Sequence, residues 1–173
     1  MSSIDYFLEL LKLLQVSSFH QHLLRGFVSS ATSGTEDICR AASNAFVTYM
    51  QQLDDESRKR MTEKVSSIVL NQLGHNALQD DRQVVPLLHF LCFLMDQDLL
   101  VETSTDIWAI MKKVHGPSSS LPRIEAAMNC YSRMLAMDHY QKQAMDKLTR
   151  QLLHRWPKVG VHQLQFISDI TDA

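Results

Sequence analysis

A chain of 173 residues with 45% hydrophobic and 21% charged side chains has the balance of one ordinary globular domain. Its formal net charge of −2 and pI of about 6.4 exclude the basic excess on which nucleic-acid binders rely. At this size folding removes roughly 70% of the unfolded surface from water, so the core needs neither a disulfide nor a metal.

Few breakers (5 Gly, 4 Pro) and many Leu, Met, Ala and Gln residues favour helix. The first predicted helix covers about Ile4 to Leu14, where Ile4, Phe7, Leu8, Leu11 and Leu14 form one apolar stripe. The second runs from about Phe19 to Ser30 with Leu23, Leu24, Phe27 and Val28 inward, and Ser29 to Gly34 reads as a polar connection. The third starts at Thr35 or just before it and turns Ile38, Ala42, Ala45, Phe46, Tyr49 and Met50 inward. Small Ala beside large Phe lets a neighbouring helix approach closely. Asp54 or Asp55 caps the fourth, which carries Met61, Val65, Ile68 and Val69. Gly74, just after Leu73, suits a left-handed C-terminal stop.

The fifth helix, about Arg82 to Met95, is apolar nearly all round and is therefore expected at the centre of the stack. Pro86 falls in its first turns, where a missing N–H is tolerated, and His89 reads as a satisfied core residue. Thr103-Ser104-Thr105-Asp106 has capping-box spacing ahead of the sixth, with Ile107, Trp108, Met111 and Val114 inward. Gly116-Pro117 ends it, and Ser118 to Ser120 extends a loop open to proteolytic nicking. The seventh runs from Pro122 to Met137 on Ile124, Met128, Tyr131 and Leu135. Asp138 caps the eighth, with Tyr140, Ala144, Leu148 and Leu152 on one stripe, and Trp156-Pro157 opens a ninth that reaches Ile170. No strand-like alternation occurs. The repeating unit is a pair of helices and a short turn. The fold class is all-α, a HEAT/armadillo-like α-solenoid of about eight or nine helices over 1–173, in one domain.

Candidate chemistry is sparse. Among the 8 His, His20 and His22 point apart on a helix and no HExxH occurs, so structural histidines explain them better than a metal does. The 3 Cys (Cys39, Cys92, Cys130) are widely spaced within apolar helical patterns and read as reduced core thiols of a cytosolic protein. No GxSxG elbow, phosphate cradle or CxxC pair is present. The carboxylate pairs Asp54-Asp55 and Asp80-Asp81 stand where helix caps belong. Arg58-Lys59-Arg60 after Asp54-Asp55-Glu56 makes a solvated mixed-charge face. Met50, Met61, Met111, Met128 and Met145 fall at core spacing rather than along a binding groove. The chain reads as a non-enzyme with no cofactor. It lacks a secretory signal, and its longest apolar run, Val84 to Met95, is too short to span a bilayer. No membrane or nucleic-acid partner is expected, and the cytoplasm is its expected location.

A sequential set of motifs carries a resemblance. These are His22-Leu23-Leu24-Arg25-Gly26-Phe27-Val28-Ser29-Ser30; then Thr35-Glu36, Arg40, Phe46 and Tyr49-Met50; then Val85-Pro86-Leu87-Leu88; then Leu152-Leu153-His154-Arg155-Trp156-Pro157. In order and spacing they resemble the C-terminal region of the tubulin-folding cofactor D family, from about Ile4 to Ile170. Members of that family are several times longer, so the resemblance implies a C-terminal domain of a longer chain. It also implies a HEAT-repeat chaperone acting after the chaperonin, associated with the cytoskeleton. The implied partners are beta-tubulin or the alpha-beta tubulin dimer, the other tubulin-folding cofactors and an Arf-like small GTPase. The assembly joins or separates the tubulin dimer and stimulates tubulin GTP hydrolysis, and this segment would be a scaffold within it.

Tubulin is acidic, so Arg40, Arg58, Lys59, Arg155 and Trp156 are the expected partner contacts. Trp156 reads either as a corner wedge or as an exposed anchor. Exchanging Arg58 and Lys59 for Glu is expected to weaken binding without unfolding the domain. The alternatives are an unrelated helical adaptor or small-GTPase-binding module, and an accessory helical domain of an enzyme.

Overall fold

The computed structural model describes residues 17–33, 35–76, 80–101, 106–116 and 119–151. Seven helices account for most of them: α1 (Ser17–Ser33), α2 (Glu36–Gln51), α3 (Asp55–Asn76), α4 (Asp81–Asp96), α5 (Ile107–Val114), α6 (Leu121–Met134) and α7 (Gln141–Gln151). Each coincides with one of the predicted helices from the second to the eighth. The predicted helices at 4–14 and 157–170 lie outside the described residues. Among the described residues there is no strand, and the architecture is the expected all-α, helical-repeat type.

The helices pack in two rows. α1, α4 and α6 lie side by side as a spine, with α4 in the middle. α3 and α5 form a second row against it, α2 closes one end on α1 and α3, and α7 packs on α6. The central position of α4 follows from its composition: Val84, Leu87, Leu88, Phe90, Leu91, Cys92 and Leu94 are all buried. Such a helix has apolar surface to remove from water on several sides, at about 25 cal/mol per Å². Aromatic rings bind the α1–α2–α4 end together. Phe27 meets Phe46 edge-on at 5.7 Å, Phe46 meets Phe90 at 6.3 Å, and Phe90 stacks on Phe93 at 5.8 Å. At the α5–α6 contact, Trp108 packs edge-on against the buried Tyr131 at 5.5 Å, and the Tyr131 hydroxyl donates to the Met111 carbonyl at 3.3 Å.

Several local expectations are corrected. Ser29 to Ser33 is helix, not connection. The Thr32 hydroxyl bonds the Val28 carbonyl at 2.7 Å and Ser33 bonds that of Ser29, so these polar side chains turn back onto the helix's own carbonyls. Gly74 is not a left-handed stop: α3 continues to Asn76, and no described glycine has positive φ. The left-handed stop is made instead by Asp98 (φ 53°) after α4. Its N–H bonds the Met95 carbonyl at 3.2 Å, and the Leu99 N–H bonds that of Leu94 at 2.8 Å. That is the paired bonding of a Schellman ending, with buried Leu99 and Leu94 as its apolar contact.

Asp138 is exposed and does not open α7, which starts at Gln141 after a turn held by Tyr140 N–H to the Met137 carbonyl at 2.9 Å. Pro86 lies in the second turn of α4, beyond the first-turn positions where its missing N–H would be free of consequence. His89 is exposed rather than part of the core.

Candidate interaction surface

The expected caps position the helix starts around the candidate contacts. Asp54 Oδ1 accepts from the Ser57 N–H at 2.9 Å, and this bond, with the Ser57 hydroxyl, holds its carboxyl below the usual range. Asp80 caps α4 through Arg82 N–H. At α5 the expectation is corrected: Asp106 is itself the cap, accepting from Trp108 N–H at 2.9 Å, and not the fourth residue of a box opened by Thr103. Asp81, however, is not a second cap. It accepts from Ser120, and from Arg123 Nε at 2.7 Å, tying the start of α4 to the start of α6. The serine-rich segment is anchored by the same residues. Ser120 caps α6 through Arg123 N–H, and Ser119 Oγ accepts from Gly116 N–H at 3.0 Å. Residues 117 and 118 of the expected nicking site lie outside the described residues.

The five expected contacts have different situations. Arg40 is exposed on α2 and paired with Asp37 at 2.6 Å. Lys59 is exposed near the start of α3. Arg58 is half-buried at the α2–α3 corner, where Nε donates to the Met50 carbonyl at 3.1 Å and a terminal nitrogen to Leu53 at 3.2 Å. Its fork closes the end of α2, whose last carbonyls have no partner within the helix. Arg58 is thus tied to the fold, so reversing its charge perturbs the α2–α3 corner as well as any partner surface. Arg155 and Trp156 lie outside the described residues. Along α2, Arg40 stands about 15 Å from Met50, so it and the corner are ends of one helix length rather than one cluster.

The structure adds what periodicity missed. Ile38, expected inside, is 52% exposed, and Met145, expected as core filling, is 43% exposed. On α2 the outward residues Asp37, Ile38, Arg40, Ala41, Asn44, Thr48 and Gln51 make a face with one large apolar side chain, one basic group and small neighbours. Ile38 emerges because α2 is at the end of the stack, packed mainly on α1, with α3 and the Phe90 ring of α4 beside it, and nothing covers its outer face among the described residues. Lys112 and Lys113 are exposed in the last turn of α5, where their charge also suits the helix dipole. Among the described residues no group of three or more His, Cys, Asp or Glu could hold a metal, and no helix is long and apolar enough to cross a membrane.

A repeat-like helical stack whose polar chemistry is spent on caps and ties can be compared with known families. The family model for the tubulin folding cofactor D C terminus matches residues 1–123. The chain belongs to that family. The match takes in α1 to α5 and the start of α6, with Arg40, Arg58 and Lys59 inside it and the 152–157 motif beyond it. No curated protein and no solved structure matches significantly.

Proposed function

We propose that this chain is a non-enzymatic scaffold domain of a tubulin-specific chaperone. In this reading it binds beta-tubulin, or the alpha-beta dimer, or a fellow folding cofactor, along the outer face of α2 and the α2–α3 corner. The observation that carries the reading is the family match over residues 1–123, which contains that whole surface. The chemistry of the face supports it: Ile38 offers an apolar contact, and Arg40 and Lys59 offer charge to an acidic partner. The parent assembly would act in the cytoplasm, at the cytoskeleton, in post-chaperonin folding and in joining or separating the dimer. It would work with other cofactors and an Arf-like small GTPase and stimulate GTP hydrolysis by tubulin. This domain would contribute contacts rather than catalysis.

The test is size-exclusion chromatography with light scattering of the purified chain and alpha-beta tubulin, followed by a titration at several salt concentrations. The expected result is a co-eluting complex weakened by salt and by Ile38→Asp or Lys59→Glu. No complex from a folded chain would move the contact to another cofactor or to the Arf-like GTPase. A complex indifferent to both substitutions would remove the α2 face from the proposal.

A further inference from the structure

Cys92 on α4 and Cys130 on α6 face each other in the interior of the spine with their sulfurs 3.1 Å apart. They are two of the chain's 3 cysteines, and no disulfide joins them. The Cys130 thiol also points at the Leu88 carbonyl of α4, at 3.5 Å. With its proton directed there, its sulfur is left to accept from Cys92.

The two helices are held in register on either side of this pair. Toward their starts, Arg123 and Ser120 of α6 hold Asp81 of α4. One turn past the cysteines, Arg133 grips Asp96 with two bonds of 2.7 and 2.8 Å. Closing the sulfurs to the bonded distance of about 2.0 Å takes an approach of about 1 Å, within the reach of side-chain rotation. Arg133 also puts positive charge near the pair, partly opposing the burial that pushes the Cys130 thiol up.

We propose that Cys92 and Cys130 are a redox-active dithiol that hydrogen peroxide closes to a disulfide within the native fold, locking α4 to α6. Cys92 is 6% exposed and Cys130 is fully buried, so the oxidant meets Cys92 first. Its sulfur attacks a peroxide oxygen and the O–O bond breaks. The departing hydroxide takes the Cys92 proton as water and leaves a sulfenic acid. The Cys130 sulfur then attacks the Cys92 sulfur. The S–S bond forms, the S–O bond breaks, and the departing hydroxyl takes the Cys130 proton as a second water. Two electrons pass from the sulfurs to the peroxide. Because both thiols are sequestered, the reaction is slow and depends on brief local opening.

The experiment treats the folded 173-residue chain with hydrogen peroxide and reads intact mass, non-reducing peptide maps and thermal melting. The expected product has lost about 2 Da, carries a Cys92–Cys130 link reversed by a thiol reductant, keeps its helical content, and melts about 5 °C or more higher. Cys39→Ser should leave this unchanged, and Cys92→Ser should abolish it. Three outcomes would each overturn the proposal: sulfinic acid at Cys92 with Cys130 still a thiol, a link that forms only after unfolding, or a linked chain that melts no higher than the reduced one. The wild-type measurements need no variant, so a poorly folding Cys92→Ser would not blur them.

Discussion

Reversing the charge of Arg58 and of its neighbour Lys59 should have very different consequences. Arg58 makes two charge-assisted hydrogen bonds, to the Met50 and Leu53 carbonyls, at the end of α2. Bonds of this kind contribute about 1.5–3 kcal/mol each when sheltered. The guanidinium side chain is 42% exposed, so water competes, and halving that value gives about 2 kcal/mol for the pair. The ion pair with Asp55, at 3.6 Å and open to solvent, adds almost nothing. Arg58→Glu should therefore cost about 2 kcal/mol and lower Tm by about 4–8 °C for a domain of this size. Arg58→Lys, which keeps the charge and loses the fork, should fall between. Lys59→Glu should stay within about 0.5 kcal/mol. Urea unfolding followed by far-UV circular dichroism measures all three. If Arg58→Glu proved as stable as wild type, the closing of α2 by Arg58 would be refuted. In a tubulin-binding assay only Lys59→Glu then reports on the surface alone.

Gly74→Ala should stabilise by about 0.5–1 kcal/mol in the same assay, because Gly74 is helical and an added methyl meets open space. Destabilisation would revive the left-handed stop. Ser66→Ala should cost about 1–3 kcal/mol. The buried Ser66 hydroxyl accepts from Val101 N–H at 3.1 Å and donates to the Thr62 carbonyl at 2.7 Å, and its loss strands the Val101 donor. A loss below about 0.5 kcal/mol would show that water replaces it. The carboxyl of Asp81 is held below its ordinary value of 3.8, first by Ser120 and then by Arg123, against a smaller opposing effect of burial than the Ser120 bond. Its folded-state value is thus below the unfolded one. Its contribution is complete above about pH 4 and is lost as pH falls through the folded value. Urea midpoints taken down to about pH 2 should show a flatter acid limb for Asp81→Asn than for wild type; parallel limbs would contradict the assignment.

The positions of the helices, their number in the described region and their common pattern were legible in the sequence because they depend on contacts three and four residues apart along one chain. The caps at Asp54 and Asp80 were legible for the same reason, donor and acceptor being two or three residues from each other, whereas at Asp106 the spacing suggested a box opened by Thr103 instead. The family was also legible, in motifs spread along the chain. Periodicity marks a stripe as apolar without stating how wide a neighbour will cover it. Ile38 and Met145 share the period of the core yet face outward, Ile38 because α2 ends the stack. Arg58 looked like a free surface charge until the α2–α3 turn brought the Met50 carbonyl to it. Gly74 lies inside α3 and stops nothing, while the left-handed stop falls after α4 on Asp98, where the Asp98 and Leu99 N–H groups bond the Met95 and Leu94 carbonyls. Cys92 and Cys130, 38 positions apart, were separate core thiols in the sequence. Only the packing of α6 on α4 made them a pair, because such proximity arises from the register of two helices and not from the pattern of either.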